Sequence, residues 1–293
     1  MSLACPSSPI VVLDSGLGGL TVVRALRRAV PAEDILYFGD TARVPYGSKS
    51  AATVTGFVRQ IIAYLLPYEP KHVVIACNTA TAVAMPALRE EFPDLSISGV
   101  VEPGARAAVE AAGDRAEPVI GVIGTEATIR SGAYERAIKQ RRPGARVYCR
   151  ATPLLVPIIE EGRRGDDPLV MLALRQYLEP LLEQHIDVLV LGCTHYPVYR
   201  EVICGIAGPQ VAVIDSADQC AEDVRRRLLA ARLARAGDGR TGELRCFVTD
   251  DTPRFGVLAA RFLGMRIDQP TWVATDDLHA PGAPHLGPVR TAL

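Results

Sequence analysis

Short apolar runs alternate with longer stretches of helical periodicity along most of this chain. The runs have the length of buried β-strands and fall at 10–13, 35–38, 73–76, 97–101, 119–123, 146–149, 188–191, 211–214 and 244–248. Apolar residues recur at helical spacing between them, most clearly at 20–29, 50–66 and 80–91. Near-continuous apolar strands separated by such helices are typical of parallel sheets that are covered by helices on both faces. The pattern therefore predicts an α/β fold.

The polar segments at the strand ends recur along the chain. The segment around Ser15 follows the first strand as the one around Thr125 follows the fifth, 110 residues later. The segment around Cys77 has its counterpart around Cys193, 116 residues later. A nearly constant offset is expected from an internal duplication. We therefore expect two pseudo-symmetric lobes, each a mostly parallel sheet flanked by helices, with an active site in the cleft between them.

This repeat also predicts the division of the chain. We expect residues 1–98 and 208–268 to form the first lobe and residues 99–207 to form the second. The segment 269–293 contains Pro, Gly and His with no clear periodicity near its end. Such a composition is typical of a loose C-terminal tail.

Composition and charge indicate a globular protein that binds neither nucleic acids nor membranes. The 293 residues are 48% hydrophobic and 22% charged, with a formal net charge of −1, as in soluble globular proteins. The densest basic cluster, 225–227, lies in a stretch of helical periodicity, so we interpret it as the solvated face of a helix and expect no nucleic-acid binding. The first nine residues lack the pattern of a signal peptide or membrane anchor, which predicts a cytoplasmic protein that does not bind membranes.

The cysteines suggest neither disulfides nor zinc. They are odd in number, widely spaced and without a Cys-x-x-C pair, at positions 5, 77, 149, 193, 204, 220 and 246. In a reducing cytosol they remain thiols, and most are expected to be small buried hydrophobic residues. We expect no metal site.

Cys77 has a context that allows chemistry. It leaves an apolar strand where a helix begins, and Asn78 and Thr79 follow it. The free amides and partial positive charge of a helix N-terminus can lower the pKa of a thiol towards neutrality and can also receive a carboxylate. A proton-carrying thiol is one interpretation, and a buried strand-end cysteine is the other.

Cys193 has a similar context, with His195 two residues further on. The imidazole could exchange a proton with the thiol or hold a substrate group. A fragment of a metal site and the Cys-His pair of a thiol hydrolase are alternatives, although further ligands or an orienting group are missing nearby in sequence.

Two loops complete the candidate features. The glycine-rich turn 13–20 does not match the dinucleotide or phosphate-loop patterns, which leaves a small-anion site at a helix start and Asp14 as a buried or catalytic carboxylate. The loop 38–47, which contains Tyr46 and Gly47, could present backbone amides to a ligand or could be purely structural.

Taken together, these motifs resemble the glutamate racemases of the aspartate/glutamate racemase superfamily. The resemblance extends over about residues 10–268 and rests on five motifs in the family order, Asp14-Ser15-Gly16, Pro45-Tyr46-Gly47, Cys77-Asn78-Thr79-Ala80, Gly124-Thr125 and Gly192-Cys193-Thr194-His195-Tyr196-Pro197. It implies racemisation of glutamate without a cofactor, D-glutamate for peptidoglycan, and a homodimer. By this resemblance Cys77 deprotonates D-glutamate and Cys193 deprotonates L-glutamate.

The resemblance also assigns the helper and binding residues. Asp14 would assist Cys77, while His195 and Glu160 would assist Cys193; Thr152 stands where the family usually has cysteine, close to the Glu160 segment. The positions that match groups holding the substrate are Asp14, Ser15, Tyr46, Gly47, Asn78, Thr79, Thr125, Thr194 and His195. Relatives with paired cysteines that act on aspartate, hydantoins or maleate are alternatives. Binding of DNA gyrase, reported for some members, is a further alternative.

Overall fold

The computed structural model describes residues 5–237, 239–250, 255–267 and 269–279, which form an α/β fold with two parallel sheets. The strands are β1 Ile10–Asp14, β2 Ile35–Gly39, β3 His72–Ile75, β4 Ile97–Gly99, β5 Val119–Gly124, β6 Arg146–Ala151, β7 Val188–Gly192, β8 Ala212–Asp215, β9 Leu244–Val248 and β10 Thr271–Trp272. The helices are α1 Leu20–Ala29, α2 Ala51–Leu65, α3 Asn78–Glu91, α4 Val101–Ala111, α5 Glu126–Arg130, α6 Ala133–Arg141, α7 Leu155–Glu160, α8 Pro168–Leu182, α9 Arg200–Ala207, α10 Ala217–Ala230 and α11 Phe255–Leu263.

The predicted α/β fold is confirmed, and each of the nine predicted strands is present. β1 and β5 are buried along their whole length, because helices cover both faces of a parallel sheet. β6, at the edge of the second sheet, is only partly buried. The helix predicted at 50–66 begins after Ser50, whose hydroxyl accepts a hydrogen bond from the Thr53 amide at 3.2 Å.

The two sheets share one strand order. The first runs β10-β9-β2-β1-β3-β4 and the second runs β6-β5-β7-β8, with all strand pairs parallel. The order β2-β1-β3-β4 is repeated as β6-β5-β7-β8. This is the arrangement that an internal duplication leaves, and it places the segments after β3 and β7 in equivalent positions. We call the parts built on the two sheets the first lobe and the second lobe.

The structure corrects two of the predicted boundaries. The segment 208–268 was assigned to the first lobe, but β8 pairs with β7, with Val188 opposite Ala212, so the chain returns to the first sheet only after β8. The segment 269–293 was predicted to be a tail, but β10 pairs with β9, and Val273 and Leu278 are buried. Residues 1–4 of the predicted first lobe and 280–293 of the predicted tail lie outside the described residues.

A buried ion pair lies at the amino ends of the strands in the first sheet. The strand-end motifs lie at the other end of these strands, the carboxyl end. Lys71 directly precedes β3 and pairs with the carboxylate of Glu33, and both side chains are almost completely buried. The ammonium also donates to the backbone carbonyls of Pro6 at 2.6 Å and Leu233 at 3.0 Å. Glu33 in turn accepts from the amide of Arg235 at 2.8 Å. These bonds connect segments that are far apart in sequence.

The basic cluster 225–227 lies on α10, as the helical periodicity predicts. Its three arginines pair within the same helix, with Glu222 and Asp223. In the described ranges, no helix has both the length and the apolar character needed to cross a membrane.

Candidate functional site

Both thiols, Cys77 and Cys193, line one small cavity between the carboxyl ends of the two sheets. Its volume is about 20 Å³, which is room for about one water molecule. The lining comes from both lobes and consists of Ser15, Val44, Pro45, Tyr46, Gly47, Cys77, Asn78, Thr79, Thr125, Val156, Cys193, Thr194 and His195. The described conformation is therefore closed, and a ligand of amino-acid size requires the lining to move apart.

Cys77 is the residue before α3 and caps that helix. Its sulfur accepts from the Ala80 amide at 3.5 Å, and the thiol donates to the Ser15 hydroxyl at 3.5 Å. Burial, together with the nearby carboxylate of Asp14, raises the pKa of the Cys77 thiol to about 12. The expectation that the helix N-terminus lowers this pKa is therefore wrong for the closed site, because desolvation of the thiolate outweighs the helix amides. Cys77 is a protonated thiol at neutral pH.

Asp14 ends β1 beside this thiol. Its Oδ2 accepts from the Gly16 amide at 3.0 Å, while its Oδ1 is buried and has no hydrogen-bond partner among the described residues. Burial raises the pKa of Asp14. A Cβ atom at Gly19 would lie 2.6 Å from the Asp14 Cβ, so a glycine is required where α1 passes the carboxylate. The free oxygen can accept a hydrogen bond from a ligand.

Cys193 follows β7 and lies in a chain of polar contacts. Its sulfur is 3.7 Å from His195 Nδ1, and His195 Nε2 is 3.0 Å from Glu160 Oε1. Burial lowers the pKa of His195, but the hydrogen bonds to Cys193 and Glu160 outweigh burial and raise it to about 10. The imidazole is therefore protonated at neutral pH, and its positive charge lies between the sulfur and the carboxylate.

The two thiols differ in the helices that follow them. Cys77 leads directly into α3, whereas Cys193 leads into a short 3-10 helix, Tyr196–Tyr199, before α9 begins. The Tyr196 amide bonds to the Cys193 carbonyl at 3.2 Å, three residues back. The duplication thus preserves the strands and the thiols, but only Cys77 caps an α-helix.

Threonine hydroxyls connect the two lobes across the cavity. Thr79 of the first lobe bonds to Thr125 of the second at 2.8 Å, and both bond to Thr128, at 3.2 and 2.9 Å. A Cβ atom at Gly47 would lie 2.7 Å from the Thr125 Cβ. The loop can therefore come this close to the second lobe only with a glycine at position 47. Nearby, the Tyr46 hydroxyl donates to the buried carboxylate of Asp40.

The glycine-rich turn after β1 allows the lobes to pack closely. A Cβ atom at Gly18 would lie 2.3 Å from Thr194 Oγ1 and 2.5 Å from His195 Nδ1. The Thr21 hydroxyl is 3.3 Å from the Thr194 carbonyl oxygen. Close packing against the second lobe thus explains why Gly18 lacks a side chain.

All predicted site residues lie in or beside the cavity, and several neighbours were not predicted. Thr128 and Tyr134 contact site residues from helices of the second lobe, and Phe262 of α11 packs edge-on against the His195 ring at 5.2 Å between centroids. Thr152 bonds to the Tyr196 hydroxyl at 2.6 Å, and the Tyr196 side chain also hydrogen-bonds to Cys193. Thr128, Tyr134 and Phe262 belong to no motif, because contacts between distant helices leave no local sequence pattern.

Among the described residues, no three His, Cys, Asp or Glu side chains are grouped so that they could hold a metal ion.

The charge on His195 gives a stability prediction. A pKa of about 10 in the folded protein, against an ordinary value of 6.5, means that its stabilising contribution is complete below about pH 6.5 and is lost as the pH rises through 10. We expect the difference in unfolding free energy between wild type and His195→Gln to shrink between pH 7 and pH 10 in urea titrations.

His72 provides the matched control for this experiment. Its ring nitrogens contact the hydroxyls of Ser96 and Ser98, both at 2.8 Å, and burial lowers its pKa to about 4. The His72 ring is neutral in the folded protein between pH 7 and pH 10. The difference in unfolding free energy between wild type and His72→Gln should therefore stay constant over that range. A constant difference for His195→Gln as well would contradict the protonated imidazole.

Comparisons with known proteins show the family of this chain. The sequence matches the Asp/Glu/Hydantoin racemase family over residues 10–224. It is 46% identical to a glutamate racemase of Syntrophus aciditrophicus, over 87% of this chain and 93% of that protein. It is 45% identical to a glutamate racemase of Thermus thermophilus, over 93% of this chain and 99% of that protein. The crystal structure of glutamate racemase from Francisella tularensis, in complex with D-glutamate, superimposes with a TM-score of 0.84 at 35% identity, covering 92% of this chain and 98% of that one. The chain therefore belongs to the Asp/Glu/Hydantoin racemase family.

Proposed function

We propose that this protein interconverts L- and D-glutamate without a cofactor, with Cys77 and Cys193 as the two acid/base groups, and that it supplies D-glutamate for peptidoglycan. The observation that carries the proposal is that two thiols, at equivalent strand ends of two duplicated sheets, line the same cavity. The curated relatives named above are glutamate racemases, which supports glutamate as the substrate.

Two opposed thiols suit the reaction. Racemisation removes a proton from one face of the α-carbon and returns a proton to the other face, so a single base on one side is poorly placed for both steps. A thiol on each lobe gives one group for each face. The closed cavity also excludes water from the carbanion and from the sulfur that acts as base.

From the surroundings of the two thiols we infer a starting state in which Cys77 is the acid and Cys193 is the base. Cys77 carries its proton, because burial raises its pKa to about 12, while the protonated imidazole of His195 lies 3.7 Å from the Cys193 sulfur. With L-glutamate, Cys193 takes the α-proton and Cys77 delivers its own proton to the opposite face. Cys77 is then the thiolate and Cys193 the thiol, which is the state that accepts D-glutamate.

The unsatisfied polar atoms match an α-amino acid. Asp14 Oδ1 is a buried acceptor without a partner, which suits the substrate ammonium group, and Asn78 Nδ2 is a buried donor without a partner, which suits a carboxylate; both statements concern the described residues. Hydroxyl groups of Ser15, Thr79, Thr125 and Thr194 lie around the same cavity. Donors to the carboxylate stabilise the charge that develops when the α-proton leaves.

Chiral chromatography of single amino acids tests the substrate. Protein treated with a chelator is incubated with L-glutamate or L-aspartate, and both enantiomers are measured over time. We expect D-glutamate to form until the enantiomers are equal, with much slower turnover of aspartate. Turnover of aspartate but not glutamate would refute the substrate assignment. A trapped covalent acyl-enzyme would instead support a thiol hydrolase.

Two further expectations stay predictions. A homodimer and a cytoplasmic location follow from the family resemblance and the sequence, and light scattering at several concentrations tests the first. Binding of DNA gyrase stays an untested alternative.

A further inference from the structure

A tyrosine of the second lobe reaches into the polar lining of the first. Tyr134 lies on α6, and its hydroxyl donates to Asn78 Oδ1 on α3 at 2.6 Å. Both residues are buried, and their positions are 56 residues apart in sequence. This hydrogen bond therefore crosses from one lobe to the other directly beside the cavity.

The hydroxyl of Tyr134 has defined partners on both sides. A tyrosine hydroxyl carries one proton to donate and can also accept. The side chain of Ser216, just before α10, hydrogen-bonds to the same hydroxyl and can fill its acceptor position. The proton of Tyr134 is then directed to Asn78.

The ring of Tyr134 is also held in place. A Cβ atom at Gly192, the residue before Cys193, would lie 3.1 Å from the ring, and one at Gly104 would lie 3.2 Å from the hydroxyl oxygen. Two glycines thus make room for the side chain between β7 and α4. The position of the hydroxyl is set by the packing of the second lobe rather than by Asn78.

This contact determines which way the amide of Asn78 faces. An Asn amide presents an acceptor and two donors that exchange places when the group flips. Because Oδ1 is engaged by Tyr134, Nδ2 is the free end, and it is buried without a partner among the described residues. Asn78 itself lines the cavity.

We propose that Tyr134 is a positioning residue, which fixes the amide of Asn78 across the lobe interface so that Nδ2 donates to a carboxylate of the substrate. The inference rests on the proposed function. Without the tyrosine hydroxyl, the amide is free to turn its oxygen towards the cavity, and that oxygen repels a carboxylate. The second lobe thus orients a binding group of the first lobe, and this depends on both lobes being in contact.

Tyr134→Phe tests the proposal, because it retains the ring and removes only the hydroxyl. We expect KM for glutamate to rise about tenfold or more, as for the loss of a hydrogen bond to a charged group, with a smaller change in kcat. Tyr199→Phe is the matched control. It removes a buried hydroxyl that donates to the Arg163 carbonyl at 2.9 Å, outside the cavity, and should leave KM unchanged.

A double-mutant cycle separates positioning from general packing. If Tyr134 acts through Asn78, adding Tyr134→Phe to Asn78→Ala should raise KM no further. Provided that the wild type racemises glutamate, two results would overturn the proposal. One is an unchanged KM in Tyr134→Phe, and the other is an equal rise in KM when Tyr134→Phe is made in the wild type and in Asn78→Ala. Absence of racemisation in the wild type would instead refute the proposed function, and the positioning role with it.

Discussion

Alanine at either Cys77 or Cys193 is expected to lower kcat/KM for glutamate racemisation by about a thousandfold or more, within the range that general acid-base groups contribute. Each variant leaves one face of the α-carbon without a proton donor or acceptor. Because the two enantiomers have equal free energy in solution, kcat/KM must fall equally in both directions. Chiral chromatography measures both.

The unequal surroundings of the two thiols should be visible in isotope exchange. Cys77→Ala retains the thiol that we assign to L-glutamate, so any remaining α-hydrogen exchange in D₂O should be confined to that enantiomer. Cys193→Ala should show the reverse preference. Cys220→Ala is the control, because Cys220 is also a completely buried thiol but does not line the cavity. A Cys77 or Cys193 variant with near-normal racemisation would contradict the account.

Lys71→Met is expected to lower the free energy of unfolding by about 3–5 kcal/mol, because it leaves the buried carboxylate of Glu33 without its counter-charge. The side chain of Lys71 is 0% exposed and that of Glu33 is 2% exposed. The substitution also removes the donor to the carbonyls of Pro6 and Leu233. Urea denaturation followed by circular dichroism measures the change.

Lys139→Met is the matched control for this prediction. Lys139 pairs with Glu135 on the surface of α6 at 2.7 Å, and the two side chains are 49% and 44% exposed. Such a pair contributes less than about 1 kcal/mol, because water screens it and both side chains lose freedom in forming it. Equal decreases in the free energy of unfolding for Lys71→Met and Lys139→Met would contradict the importance of burial at Lys71.

The strands of the fold could be predicted because burial on both faces selects short, unbroken apolar runs, as in Val188–Gly192. β10 was missed because two residues, Thr271–Trp272, are too few to form a pattern. The error at β8 was avoidable. Cys193 lies 116 residues after Cys77, and the same offset from β4 falls on β8. The repeated strand order confirms that β8 is the counterpart of β4.

The site was predictable where it lies at strand ends, since parallel strands bring their carboxyl ends to one edge. Asp14, Cys77 and Cys193 were found in this way. Two properties were not accessible to sequence reasoning. The pKa of Cys77 depends on how completely the folded chain buries the thiol, and the contact of Tyr134 depends on the packing of helices that are distant in sequence.

The central claim, two thiols on opposite faces of one α-carbon, is tested most directly by early-time exchange in D₂O. L-glutamate is incubated with wild-type protein, and the α-deuterium content of both enantiomers is measured by mass spectrometry while little product has formed. The account predicts that the D-glutamate carries deuterium from the solvent, whereas the remaining L-glutamate stays almost entirely protiated. Product that retains the original α-hydrogen would indicate a single base and would contradict the claim.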